Sequence, residues 1–312
     1  MVKRKEIKNI FNNGKHFTMI PNVFIKDSEE SECILSSKQL TIAIAIYMNR
    51  TTKDVCSFNI NSIVETLGLL YNTRIKKLII DTLQLLEEEK QIYIRNKIYC
   101  DDKYHVEDLN KLKVNDNLYG ELINHIDDNF CMFSDTDIQQ LVEYSTTNEI
   151  DIYSIIKQYL YICSCINKND KDEDYLLAYP KLDSISSICS IKSKNTIVKY
   201  NMIFKELNIF SFDYAGYKID RKGNETIRNG RMFYTPYGNE EILLQRLQKE
   251  REKYGYYKIS DTYKDLKNLQ ISISKKITNI NKLKNKTIID IEKLKLLEEE
   301  KEKIIKLAEK EK

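Results

Sequence analysis

An α+β fold, mainly α, is predicted by three features of the sequence. Two stretches carry a helix-turn-helix pattern that runs into a strand, and the C-terminal part is charged helix with few interruptions. At 312 residues the chain has room for about two or three domains. The sharper of the two patterned stretches is residues 185–210, ISSICSIKSKNTIVKYNMIFKELNIF. Ile185, Ile188 and Cys189 give a first short helix its apolar face, Ser190 marks the tight turn, and Ile191 is the apolar plug between helices. Lys192, Ser193, Lys194, Asn195 and Thr196 then open a second helix. Helical spacing puts Ile197, Met202 or Ile203, Phe204 and Leu207 inward, and Lys194, Asn195, Lys199, Tyr200 and Asn201 outward. Asn208 ends the helix, because asparagine tolerates the left-handed conformation used there. Ile209-Phe210-Ser211-Phe212 begins a strand. Upstream, residues 152–166 read as an apolar helix, residues 175–179 as a strand, and Pro180 as a helix start.

The same order occurs earlier. Residues 35–40 cap and open an apolar helix that reaches Met48, and residues 55–59 form a strand candidate. A short helix over 61–67 is broken by Gly68, and a longer one over 72–88 turns Ile75, Leu78, Ile79, Leu83 and Leu86 inward. Its outward start is Asn72, Thr73, Arg74, Lys76 and Lys77. Residues 91–94 and 98–100 read as a hairpin whose basic tip holds Arg95 and Lys97. Helix, strand, helix, helix, hairpin is the element order of a winged helix. The expected domains are a first winged helix over 1–105, a helical connector over 106–150, a second winged helix over 151–238 and a charged helical tail over 239–312.

A polar, basic helix start suits a major-groove reader: lysine meets phosphate, while amides and hydroxyls meet base edges. The expected DNA contacts are therefore Asn72, Thr73, Arg74, Lys76, Lys77, Arg95 and Lys97 in the first copy. In the second they are Lys192, Ser193, Lys194, Asn195, Thr196, Lys199 and Tyr200. A long second wing between Tyr214 and Met232 adds Lys218, Arg221, Lys222, Arg228 and Arg231, with glycine and asparagine interleaved.

The segment Phe17-Thr18-Met19-Ile20-Pro21-Asn22-Val23-Phe24 followed by Leu35-Ser36, together with residues 184–210, resembles the winged-helix replication initiators of plasmids and phages of low-GC Gram-positive bacteria. The resemblance spans roughly residues 17–235. It implies sequence-specific binding of double-stranded DNA at repeated origin sites, recruitment of the host replication machinery, and no hydrolysis. A transcriptional regulator or a partition protein of a mobile element uses the same fold and is the alternative expectation.

Composition bounds the remaining classes. Charged residues make up 31% and apolar ones 42%, and the formal net charge is only +3, so charge distribution matters more than its total. The basic start Met1-Val2-Lys3-Arg4-Lys5 is followed by no apolar core of secretory length, and the longest apolar run, 40–48, is too short to span a bilayer. A cytoplasmic protein without membrane contact is expected, with its seven cysteines reduced. Their scatter lacks zinc-site spacing, and the three histidines, His16, His105 and His125, form no ligand pair. With no P-loop motif either, no enzyme, metal or cofactor is expected. Ser134-Asp135-Thr136-Asp137 reads as a helix N-cap, with acids placed at the positive end of the helix dipole.

In the tail, Leu266, Ile277 and Ile288 recur every eleven residues, as do Leu269, Ile280 and Ile291, and Leu283, Leu294 and Ile305. Such a period describes a nearly straight helical pairing, coiled-coil-like, through which the tail would self-associate or dock a host replication protein.

Overall fold

The computed structural model describes residues 16–26, 35–50, 55–97, 105–123, 130–169, 171–219, 227–229, 231–256, 261–283 and 287–310. They form an α+β protein, mainly helical, with small two- and three-stranded sheets. Two compact units divide the chain, one of Met1–Asp213 with Met232–Leu247, the other of Tyr214–Arg231 with Gln248–Lys312.

The first unit opens with β1 (Phe17–Pro21). α1 (Ser37–Met48) follows, begun by a capping box in which Ser36 and Gln39 satisfy each other's backbone N–H groups. Residues Leu40 to Tyr47 of α1 are all buried, which marks a helix enclosed on every side. Its neighbour across the core is α5 (Ile152–Cys165), itself buried along most of its length. Phe24 meets Tyr47 edge to face at 5.7 Å.

Around α1 come β2 (Val55–Phe58), α2 (Ile60–Thr66), α3 (Thr73–Glu88), β3 (Ile92–Arg95) and β4 (Leu118–Leu122). The sheet order is β2-β4-β3, so the last strand lies between the other two. The expected return strand, residues 98–100, lies outside the described residues. β4 comes instead from the stretch expected to be a helical connector. Its alternation explains the strand: Leu118, Gly120 and Leu122 are buried, with Tyr119 and Glu121 half-buried between them. The same stretch supplies β5 (Phe130–Ser134), which pairs antiparallel with β1, Phe17 opposite Ser134. α4 (Asp135–Thr147) follows, and Ser134 caps it as expected, accepting from the Asp137 N–H at 3.3 Å.

Around α5 the same order returns. Ala178, α6 (Leu182–Ile188), α7 (Lys194–Glu206), β6 (Phe210–Tyr214) and β9 (Met232–Pro236) succeed one another, with β7 (Tyr217–Ile219) and β8 (Ile227–Asn229) between the last two in sequence. Ala178 exchanges both backbone hydrogen bonds with Tyr234 of β9, and β9 pairs with β6. Here too the last strand lies between the first and second. The strand expected over 175–179 shrinks to this one bridge because Leu176 has φ +60° and turns at Asp172 and Asp174 interrupt it. α6 starts at Leu182 with Lys181 as its N-cap, so Pro180 lies just ahead of the helix.

The second unit holds the hairpin of β7 (Tyr217–Ile219) and β8 (Ile227–Asn229), the last turns of α8 (Glu240–Tyr254), and two long helices, α9 (Asp261–Asn281) and α10 (Ile288–Lys310). The eleven-residue pattern does not run through one helix. Thr287 and Asp290 form a capping box, Thr287 N–H to Asp290 Oδ2 at 3.0 Å and Asp290 N–H to Thr287 Oγ1 at 3.2 Å, and that restarts the helix. α9 and α10 pack on each other around Ile273, Leu297 and Ile304, flanked by Leu266, Ile277 and Ile280. The repeat thus contributes to a seam within the chain. Leu269, Leu283 and Ile291 stay exposed.

Candidate nucleic-acid interface

Two helix pairs, α2–α3 and α6–α7, are closed by the same C-terminal turns, while their N-caps differ: Asn59 and Asn72 cap with their side chains, Lys181 and Ser193 do not. After α2, Gly68 has φ +58°, its N–H donates to Glu65 O at 3.1 Å, and the Leu69 N–H reaches back to Val64 O at 3.0 Å. After α6, Ser190 has φ +55°, with the matching bonds from Ser190 to Ser187 at 3.2 Å and from Ile191 to Ser186 at 3.0 Å. Both are Schellman closures. α3 and α7 end the same way, with left-handed Lys90 and Asn208, and with Gln91 to Leu86 and Ile209 to Phe204 both at 2.8 Å. The turn is one residue longer in the first unit, because Asn72 caps α3 whereas Ser193 precedes α7.

α7 is held from below by a buried polar chain. Gln158 Nε2 of α5 donates to Asn201 Oδ1 at 2.8 Å and to the Ile197 carbonyl at 3.2 Å. Asn201 Nδ2 donates to Tyr234 Oη of β9 at 2.9 Å. This corrects the expected outward face. Asn201 is fully buried and Tyr200 is 4% exposed, so Tyr200 does not face a ligand. Burial raises the Tyr200 phenol above its ordinary pKa. The inward stripe is Ile197, Tyr200, Asn201 and Phe204, the i, i+3, i+4, i+7 positions. Met202, expected as an inward candidate, is 56% exposed.

The outward face that remains carries Lys192, Ser193, Lys194, Asn195, Val198, Lys199, Met202 and Lys205, with Thr196 half-buried at its edge. Val198, Met202 and Lys205 escaped the sequence reading because it rotated the helix by about one position. The signal was present in the apolar stripe once the ring of Tyr200 is counted as apolar. Lys194 Nζ lies 2.6 Å from Asp183 Oδ1, but both side chains are well exposed, so the pair is weak and open to exchange for a phosphate.

The first unit presents Asn72, Thr73, Arg74 and Lys77 as exposed residues. Asn72 spends its carboxamide oxygen on the cap of α3, accepting from Arg74 N–H at 2.9 Å and Ile75 N–H at 3.0 Å. Lys76 turns away to the Leu112 carbonyl at 2.7 Å. Arg95 is structural. Its side chain is only 12% exposed, it pairs with Glu121 at 2.9 Å, and it covers the Tyr93 ring at 4.7 Å. Lys97 is exposed. Leu70 and Tyr71, just ahead of the cap, are exposed apolar residues absent from the expected set.

In the second unit, Lys218 and Arg228 occupy one rung of the β7–β8 ladder. Their side chains, and Arg221 and Lys222 altogether, lie outside the described residues. Arg231 is exposed, and its carbonyl accepts from the Ala215 N–H at 3.0 Å. Arg251 Nε donates to the Ala215 carbonyl at 2.6 Å, which ties the base of the hairpin to α8.

Cys56, Cys131, Cys163 and Cys189 are buried and free, and burial pushes the Cys56 and Cys189 thiols up to about 12. They are inert core groups. Among the described residues no three His, Cys, Asp or Glu side chains gather as a metal site, and no helix is long and apolar enough to cross a membrane. No family model and no curated protein matches the chain.

Proposed function

We propose that the chain is a sequence-specific double-stranded DNA-binding protein of tandem winged-helix type. The role that fits it best is replication initiator of a plasmid or phage, binding origin repeats and recruiting host replication proteins. One observation carries the reading. A helix, a first strand or bridge, two helices in a helix-turn-helix, and two further strands with the last one central occur twice, with matching C-terminal turns on the helices. In each copy the start of the third helix is polar, basic and exposed. That is the geometry a major-groove reader requires. The reading further holds the protein to be cytoplasmic and not an enzyme. The exposed Leu269, Leu283, Ile291, Leu296 and Leu307 of α9–α10 provide a surface for self-association or a host protein.

Titration against duplexes selected from a random pool tests this reading. Asn195→Ala should relax discrimination at one base pair, at a cost of about 1–3 kcal/mol for the preferred base. Lys199→Ala should weaken all duplexes alike and lower the salt slope by about 0.9 for one lost phosphate contact. Unchanged binding in both variants sinks the interface. Autonomous replication of a plasmid that carries only this gene and its flanking DNA separates the initiator from the regulator and partition roles. Failure to replicate beside intact site binding favours those roles.

A further inference from the structure

The turn that enters α3 holds Leu70 at 86% and Tyr71 at 47% exposure, and Leu70 is the most exposed large apolar side chain among the described residues. The backbone on both sides of Leu70 is fixed. The Leu69 N–H is bound to the Val64 carbonyl at 3.0 Å, and Asn72 Nδ2 donates to the Leu70 carbonyl at 3.1 Å. Gly68, which starts the turn, lies so close to α4 that a Cβ there would stand 3.1 Å from Val142 Cγ1 and Thr146 Oγ1. A pinned turn therefore holds the leucine out, and loop mobility is not the cause of its exposure. The matching turn of the second helix-turn-helix holds only Lys192 between its plug, Ile191, and its cap, Ser193.

The surroundings of Leu70 select its occupant. Asn72, Thr73, Arg74 and Lys77 are the exposed residues of the adjoining cap and first helical turns, so two apolar side chains sit beside polar and cationic ones. An apolar protein surface wants a contiguous apolar patch. A polyanion that offers a single apolar group fits better, and on the base edges of the major groove that group is the C5-methyl of thymine. We propose that Leu70 is a specificity-determining residue that packs against one thymine methyl while α3 docks in the groove. The proposal rests on the DNA-binding reading above.

The test replaces thymines of the selected duplex one at a time by uracil, which removes only the methyl group. The full chain should lose about fourfold in affinity at one position, the effect of exposing one methyl-sized apolar group. Leu70→Ala should lose about fourfold on the thymine duplex and nothing further with uracil at that position, with an unchanged salt slope and an unchanged melting temperature. Additive losses, or a variant with full affinity, overturn the methyl contact. So does a uracil-insensitive full chain whose Leu70→Ala variant loses the fluorescence of an unstacked 2-aminopurine, since that outcome makes Leu70 a wedge between base steps. A full chain that binds no duplex overturns the DNA-binding reading itself, and the unmodified titration shows that before any substitution is made.

Discussion

Asn201 shows how one side chain can set the direction of a whole helix. It accepts from Gln158 and donates to Tyr234, so α7 is registered against both α5 and β9 by hydrogen bonds as well as by its apolar stripe. Asn201→Ala removes two buried hydrogen bonds and the packing of the amide, so it should destabilise the protein by about 1–3 kcal/mol. Denaturant unfolding measures this, and a loss under about 0.5 kcal/mol would mean that the two bonds do not hold α7 in place. The asparagine also marks a limit of sequence reading. Taken alone, Tyr200-Asn201 beside Lys199 looks like polar surface, and only its distant partners, Gln158 and Tyr234, show otherwise. The exposed set Lys192, Lys194, Asn195 and Lys199 was legible, because long charged side chains at a helix start have nowhere else to go. Arg95 and Lys76 were not, since their partners Glu121 and Leu112 lie more than twenty residues away in sequence.

Among the elements, the helices were the more legible class. Caps such as Ser36, Asn72 and Ser134 and the left-handed Asn208 announce themselves locally. The strands were less so, because β4 completes its sheet with partners more than twenty residues upstream. The missed restart of the tail helix at Thr287 was local and readable, as a threonine three residues ahead of an aspartate. In β4, Gly120 stands opposite Cys56 on one side and Ile94 on the other. A Cβ built there would lie 2.2 Å from Ile92 Cδ1 and 3.2 Å from Phe58 Cε1. Ile92 is itself fully buried and has little room to yield. Gly120→Val should therefore cost about 1–3 kcal/mol by overpacking, despite the better strand propensity of valine. A thermal melt equal to the parent's would show that the sheet can spread.

For the molecule as a whole, the expected boundaries at 105 and 150 cut through shared structure. β1 needs β5, β3 needs β4, and α1 packs on α5. Fragments 1–105 and 130–240 should each show the amide exchange of a largely unfolded chain, while 1–257 folds. Independent protection of either fragment would restore the picture of two separable domains. The tail makes a different statement. α9 and α10 already satisfy one apolar stripe between them, so the proposed association would rest on the exposed leucines and isoleucines that remain. Sedimentation of the full chain should show a mass that rises with concentration, and the 1–257 chain should show none of this. Identical behaviour of the two would remove the tail as an assembly surface.

On the proposed DNA-binding reading, the pairing of β1 with β5 and the packing of α1 on α5 would also constrain the DNA. Two reading helices carried by one compact unit would not adjust their azimuth independently, so the duplex would have to supply any missing rotation as torsion. An insertion of about five base pairs between the two half-sites turns the second groove to the opposite side of the helix. An insertion of about ten restores its azimuth but moves it out of the frame's reach. Both should reduce binding to that of one half-site, whereas a flexible tether would forgive the second. The sign and density of supercoiling in the target would then become inputs to the proposed recognition.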